Sequence, residues 1–173
     1  RVYKERANEA LINITQEIQS NIKLMKFVHE NNKKVTDAIL SQNELDNSSE
    51  TQTEQFIPGF QVQDTAWKTL LGTGVSQHID YDILYQLSSV YSLQDIYKSL
   101  GYQFVQNMMS TKSMSLVIGD QDRKVDDTDL YGDNMKLLVS IESGILKSYD
   151  EAIEKLKING HEASKKHLPN ISN

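Results

Sequence analysis

The sequence predicts an all-α protein: an antiparallel bundle of three long helices plus one or two short ones, with a long loop after the first helix. Two observations carry this. Apolar residues recur at three- and four-residue steps along three long stretches, and almost no segment alternates in the manner of a half-buried strand. In the first stretch, about forty residues long, Ala7, Leu11, Ile14, Ile18, Ile22, Met25, Val28, Val35 and Ile39 form one apolar stripe on a polar helix.

Residues 46–63 lose this periodicity and contain the adjacent Pro58 and Gly59, which reads as a long loop. Asp64 and Thr65 suit the N-cap of a short helix over 66–71, which the glycines of Gly72-Thr73-Gly74 end. Asp80 caps a second long helix, whose stripe runs through Leu84, Leu87, Val90 and Tyr91, then Leu93, Ile96, Tyr97, Leu100, Phe104 and Met108. The stripe changes register near Ser92, where Ser-Leu-Gln-Asp has the form of a capping box, so a kink or break is expected there. A polar, Asp-rich connection spans about 110–129, and the alternating run 113–118 within it reads as loop or helix end because a lone strand does not persist. The last long helix takes its stripe from Leu138, Ile141, Ile145, Tyr149, Ile153 and Leu156, and is expected to stop near Gly160. The domain reading is one helical bundle over 1–160 and a flexible C-terminal tail over 161–173.

Composition removes several chemistries. The 173 residues include no cysteine, so disulfides, thiolate metal sites and cysteine nucleophiles are excluded. The net charge of -6 argues against a nucleic-acid partner, which calls for a basic face. The acid excess is central: residues 1–44 hold seven bases and six acids, 130–173 six of each, and the middle twelve acids against five bases. No run of eighteen apolar residues occurs, so the sequence contains no membrane span. The opening Arg-Val-Tyr-Lys-Glu-Arg is nevertheless the charged and aromatic mixture found where a membrane helix emerges into water, and equally an ordinary helix start.

The chemical motifs are sparse. Asp120, Asp122, Asp126, Asp127, Asp129 and Asp133 cluster, and the frame Asp127-Thr-Asp129-Leu-Tyr-Gly132 suits a calcium loop at its first, third and sixth positions. Its twelfth position is Leu138, where a bidentate glutamate is required, so capping and a solvated loop explain the acids better. His29, His78, His161 and His167 offer no pair at metal-ligand spacing on one helical face. No Gly-x-Ser-x-Gly occurs, and Gly72-Thr-Gly74 is a helix stop without the third glycine and preceding strand of a dinucleotide loop. No catalytic residue, metal site or cofactor is therefore expected.

The remaining constellation is aromatic. Phe56, Phe60, Trp67, Tyr81, Tyr85, Tyr91, Tyr97 and Tyr102 crowd the middle of the chain. Trp67, Tyr81 and Tyr85 are the candidate ligand-binding residues, since such side chains join apolar area to polar tips. The competing reading makes Trp67 a plug at the end of the bundle and leaves the tyrosine hydroxyls in water.

The same stretch carries a resemblance. Phe56-Ile-Pro58-Gly-Phe60, Asp64-Thr-Ala-Trp67, Thr73-Gly74, Ile79-Asp80-Tyr81-Asp82 and Leu87-Ser-Ser-Val-Tyr91 are similar to motifs of a group of uncharacterised bacterial proteins. In that group one N-terminal membrane helix precedes a helical domain. Tyr3-Lys-Glu-Arg6, Ala10-Leu-Ile-Asn-Ile14 and Glu17-Ile-Gln-Ser-Asn21 resemble the segment directly after that helix, and the likeness covers about two thirds of the chain. It implies a location and a shape, and no reaction. The expectation is a non-enzymatic domain, anchored by a membrane helix preceding Arg1 and exposed on the extracytoplasmic side, that binds another protein or a second copy of itself. The alternative is an extracytoplasmic small-molecule sensor that binds its ligand among the central aromatics.

Overall fold

A computed structural model describes residues 2–42, 59, 61–118 and 126–165. Three long helices dominate: α1 (Val2–Gln42), α3 (Tyr81–Ile118) and α4 (Asp126–Lys165), with the short α2 (Thr65–Gly72) and a single 3₁₀ turn, Val75–His78, between the first two. The helices pack against one another as an all-α bundle. α2 stops as expected: the Thr73 N–H bonds the Thr69 carbonyl, and Gly74 then takes the left-handed conformation (φ 68°) that glycine adopts without steric cost.

Each long helix buries one face with a period of seven. On α1 the buried positions are Ala7, Ile14, Asn21, Val28 and Val35, interleaved with Ile18, Met25 and Asn32. On α4, Met135, Glu142, Tyr149 and Leu156 interleave with Leu138, Ile145 and Ala152. α3 does the same with Ile83, Val90, Tyr97 and Phe104 against Leu87, Gln94 and Gly101. A seven-residue repeat keeps one line of side chains on the neighbouring helices over many turns.

This repeat corrects the expected break at Ser92. α3 runs unbroken from Tyr81 to Ile118, because the buried line passes from Val90 and Tyr91 through Gln94 to Tyr97. Leu93 is half-buried and Ile96 exposed, so the apparent register change came from counting apolar residues beside the line and passing over a buried glutamine. Both ends of the Asp-rich connection also shorten. α3 continues through residues 113–118, and α4 already begins at Asp126. α4 does not stop at Gly160: it continues to Lys165, since one glycine costs about 1 kcal/mol and does not by itself end a helix. The rest of the expected tail, 166–173, and most of the expected loop, 46–58 and 60, lie outside the described residues.

The chain forms two compact units, each drawing on all three long helices. Unit 1 comprises Arg1–Ile22, Gln63–Ser92 and Leu146–Asn173; unit 2 comprises Lys23–Val62 and Leu93–Ile145. Unit 1 closes its core with Ile14, Ile18, Leu70, Leu87, Val90, Tyr149 and Ile153. Unit 2 closes its own with Met25, Val28, Tyr97, Met135, Leu138 and Ile145.

An unbroken α3 makes a specific demand on residue 93. Proline is tolerated at the first position of a helix but costs about 3 kcal/mol or more inside one. Leu93→Pro is therefore expected to lower stability by at least that amount in urea unfolding followed by circular dichroism, and a loss below about 1 kcal/mol would place a helix start at Ser92.

Candidate functional site

Unit 1 is organised by a carboxylate that hydropathy alone assigns to the surface. Glu17 lies on α1 beside Ile18 and is 6% exposed. Its Oε1 accepts the Tyr91 hydroxyl at 2.7 Å from α3, and its Oε2 accepts the Ala66 N–H at 2.8 Å. That second bond caps α2 from another helix, with the negative charge at the positive end of the helix dipole. Asp64, the expected cap, occupies the N-cap position without making the side-chain bond, and its carboxylate pairs instead with Lys68 at 3.0 Å. One helical turn beyond Glu17, Asn21 clamps the entry to α2. Its amide donates to the Gln63 carbonyl and accepts the Gln63 N–H, both at 2.7 Å.

Trp67 stacks face to face on Tyr91, with ring centroids 5.1 Å apart and planes 1° from parallel. Burial first, then the bond to Glu17 and its charge, push the Tyr91 phenol well above its ordinary range, so it remains a donor. Tyr149 is fully buried nearby on α4, with the Asn21 amide near its hydroxyl but outside good hydrogen-bond geometry. Burial raises this phenol too, the charge of Glu17 adding to the effect and the Asn21 amide opposing it.

Beside this cluster α1 and α2 enclose an open groove of about 660 Å³. Arg6, Glu9, Ala10, Asn13, Gln16 and Glu17 form one wall; Gln63, Thr65, Ala66, Thr69, Leu70, Thr73 and Val75 form the other. The walls are mostly short or polar, with Ala10, Ala66, Leu70 and Val75 as the apolar part. The groove can offer hydrogen bonds along its length, but both oxygens of its buried carboxylate are already occupied.

The three residues nominated from sequence do not converge. Tyr81 and Tyr85 are 76% and 63% exposed and stack on each other along α3, while Trp67 lies on Tyr91. None of the three lines the groove or the smaller cavity of about 70 Å³ beside Phe104 and Leu138 in unit 2. His78 stacks on Tyr3, with centroids 5.0 Å apart. Asp133 pairs with Lys136 at 3.1 Å; Asp120 and Asp122 fall outside the described residues, as do the side chains of Asp126, Asp127 and Asp129. Among the described residues no three His, Asp or Glu side chains are grouped to hold a metal ion.

Unit 2 contains a second buried carboxylate. Glu142 on α4 is fully buried; its Oε1 accepts Asn32 and the Tyr97 hydroxyl, each at 2.8 Å, and its Oε2 faces His29 Nδ1 at 3.4 Å. Desolvation raises the Glu142 carboxyl above the ordinary glutamate range, against the pull of Asn32, Tyr97 and His29. The backbone of Gly59 hydrogen-bonds the Tyr97 oxygen from the other side. A Cβ at Gly59 would stand 2.7 Å from that oxygen, so only glycine permits the approach. Glu17, Asn21, Asn32 and Glu142 were absent from the sequence-derived stripes, although the seven-residue repeat passes through 21, 32 and 142.

Two comparisons test these networks. Tyr91→Phe is expected to cost about 1–3 kcal/mol by denaturant unfolding, since it strips a donor from a buried carboxylate, whereas Tyr149→Phe, which loses an unbonded hydroxyl, changes stability by less than about 1 kcal/mol. Gly59→Ala is expected to cost about 1–3 kcal/mol through overpacking, and less in a Tyr97→Phe background, where the nearest clashing atom is gone. Equal costs in both backgrounds would show that the approach to Tyr97 is not what requires glycine.

No protein-family model matches this chain, and neither a curated protein nor a solved structure matches it.

Proposed function

We propose that this chain is a non-enzymatic helical domain that binds another polypeptide in the α1–α2 groove of unit 1, as the extracytoplasmic part of a membrane-anchored bacterial protein. The groove carries the binding. It is open along one side and sets threonines and amides among the apolar surface of Ala10, Ala66, Leu70 and Val75, whereas a small-molecule site encloses most of its ligand. A polypeptide segment supplies backbone donors and acceptors along its length, which is what Asn13, Gln16, Thr65 and Thr69 can meet. The non-enzymatic reading draws support from Glu17, whose two oxygens serve the structure by holding the Tyr91 hydroxyl and the Ala66 N–H.

The tether is supported by the start of α1. Tyr3 is 59% exposed and stacked on His78, with Lys4 and Arg6 beside it, the aromatic and basic mixture favoured at a membrane interface. The likeness of this region to proteins with a preceding membrane helix supports the same placement. Among the described residues no helix is long and apolar enough to cross a membrane.

The small-molecule sensor reading draws support from the groove volume, which falls in the range of small-ligand sites. A photo-crosslinking amino acid at Thr69, in the protein expressed in its native cells, separates the two readings. The expected result is a crosslinked polypeptide, absent when the probe is at the exposed Ser99 and lost when Ala10→Trp fills the groove without changing the melting temperature. Labelling of a small molecule alone would favour the sensor, and equal labelling from both positions would remove the groove as the site.

A further inference from the structure

We infer that the buried Glu142 carboxyl in unit 2 is a proton-binding site that takes up one proton on Oε2, the oxygen facing His29 Nδ1, and that unit 2 is more stable with this proton bound. The site is independent of the groove. The two atoms face each other at 3.4 Å across α4 and α1, with the carboxylate fully buried and the imidazole side chain 21% exposed, so one partner is sealed in the core and the other opens to solvent.

Among the described residues the titratable groups that face Glu142 are His29 from α1 and Tyr97 from α3; Asn32 from α1 is neutral, and α4 supplies none. Lys26 and Lys33 lie one turn to either side of His29 on α1 and are exposed. Without the proton the pair holds a net charge of one negative unit inside unit 2. With it the carboxyl is neutral. On uptake from solvent Oε1 keeps Asn32 and Tyr97 as donors, and the proton on Oε2 is offered to His29 in the tautomer whose Nδ1 accepts.

Burial lifts the folded-state carboxyl above its unfolded value. A folded state that binds the proton more tightly gains stability as the pH falls through the folded value. That stability is fully present below the ordinary glutamate range and is lost as pH rises. Most paired carboxylates act in the opposite sense, so the effect is separable from general acid denaturation.

Glu142→Gln imitates the protonated side chain, with an oxygen for Asn32 and Tyr97 and an amide N–H for His29. The variant is expected to melt above the wild type in mildly alkaline buffer, and the difference to shrink as the pH falls toward the ordinary glutamate range. Carbon-13 NMR of the glutamate carboxyls is expected to show one group that titrates above the ordinary range and is missing from Glu142→Gln. Its midpoint should move when His29→Gln removes the partner. Parallel melting profiles for wild type and Glu142→Gln would overturn the inference. So would a set of wild-type glutamate carboxyls that all titrate in the ordinary range, a reading that does not require any variant to fold.

Discussion

A carboxylate can enter a helical core only if donors occupy its oxygens, because an unpaired buried charge costs far more than one packed helix turn supplies. In each unit this condition brings together segments far apart in sequence. Glu17 is met by Tyr91 and by the amide at residue 66; Glu142 is met by Asn32, Tyr97 and His29. Asn21 adds a second constraint, since its amide meets both the N–H and the C=O of one residue, Gln63. Sliding α1 by a turn would leave Glu17 and Asn21 buried without these partners. The apolar residues on either side would tolerate such a slide far better. The polar residues therefore fix the register, and the apolar ones supply the bulk of the burial energy.

The three long helices were legible because their apolar spacing is a local property. Leu138, Ile145, Tyr149 and Leu156 mark the buried line of α4, as Ile14, Ile18, Met25 and Val28 mark that of α1. What escaped were the polar members of the same lines. Gln94 shows why: a reading that assigns polar residues to the surface steps from Val90 onto Leu93 and Ile96, and so inserts a kink into a continuous helix. A strict repeat of seven would have kept 90, 94 and 97 together and raised the question of what Gln94 meets. Gly160 misled in the same local way, as glycine permits a helix end without imposing one.

The candidate site was less legible, for a different reason. Tyr81, Tyr85 and Tyr91 are the same residue type within one short stretch, yet the first two are exposed and the third is buried against Trp67 and Glu17. Only their neighbours on other helices distinguish them. The groove is harder still to foresee, because alanines, threonines and amides on two helices become a concavity only once α1 and α2 are side by side.

The bond from Glu17 to the amide of Ala66 also bears on the order in which unit 1 assembles. α2 has eight residues, too few to persist as an isolated helix in water, and its own N-cap residue leaves the first turn uncapped. Its cap comes from a residue 49 positions earlier, and closing so long a loop carries an entropy penalty that must be met before the bond forms. The helicity of α2 therefore depends on a bond that exists only once α1 has come up against it. α2 is correspondingly the first element of the unit to open in native-state fluctuations, so the wall it gives the groove is the part most free to yield to an arriving partner.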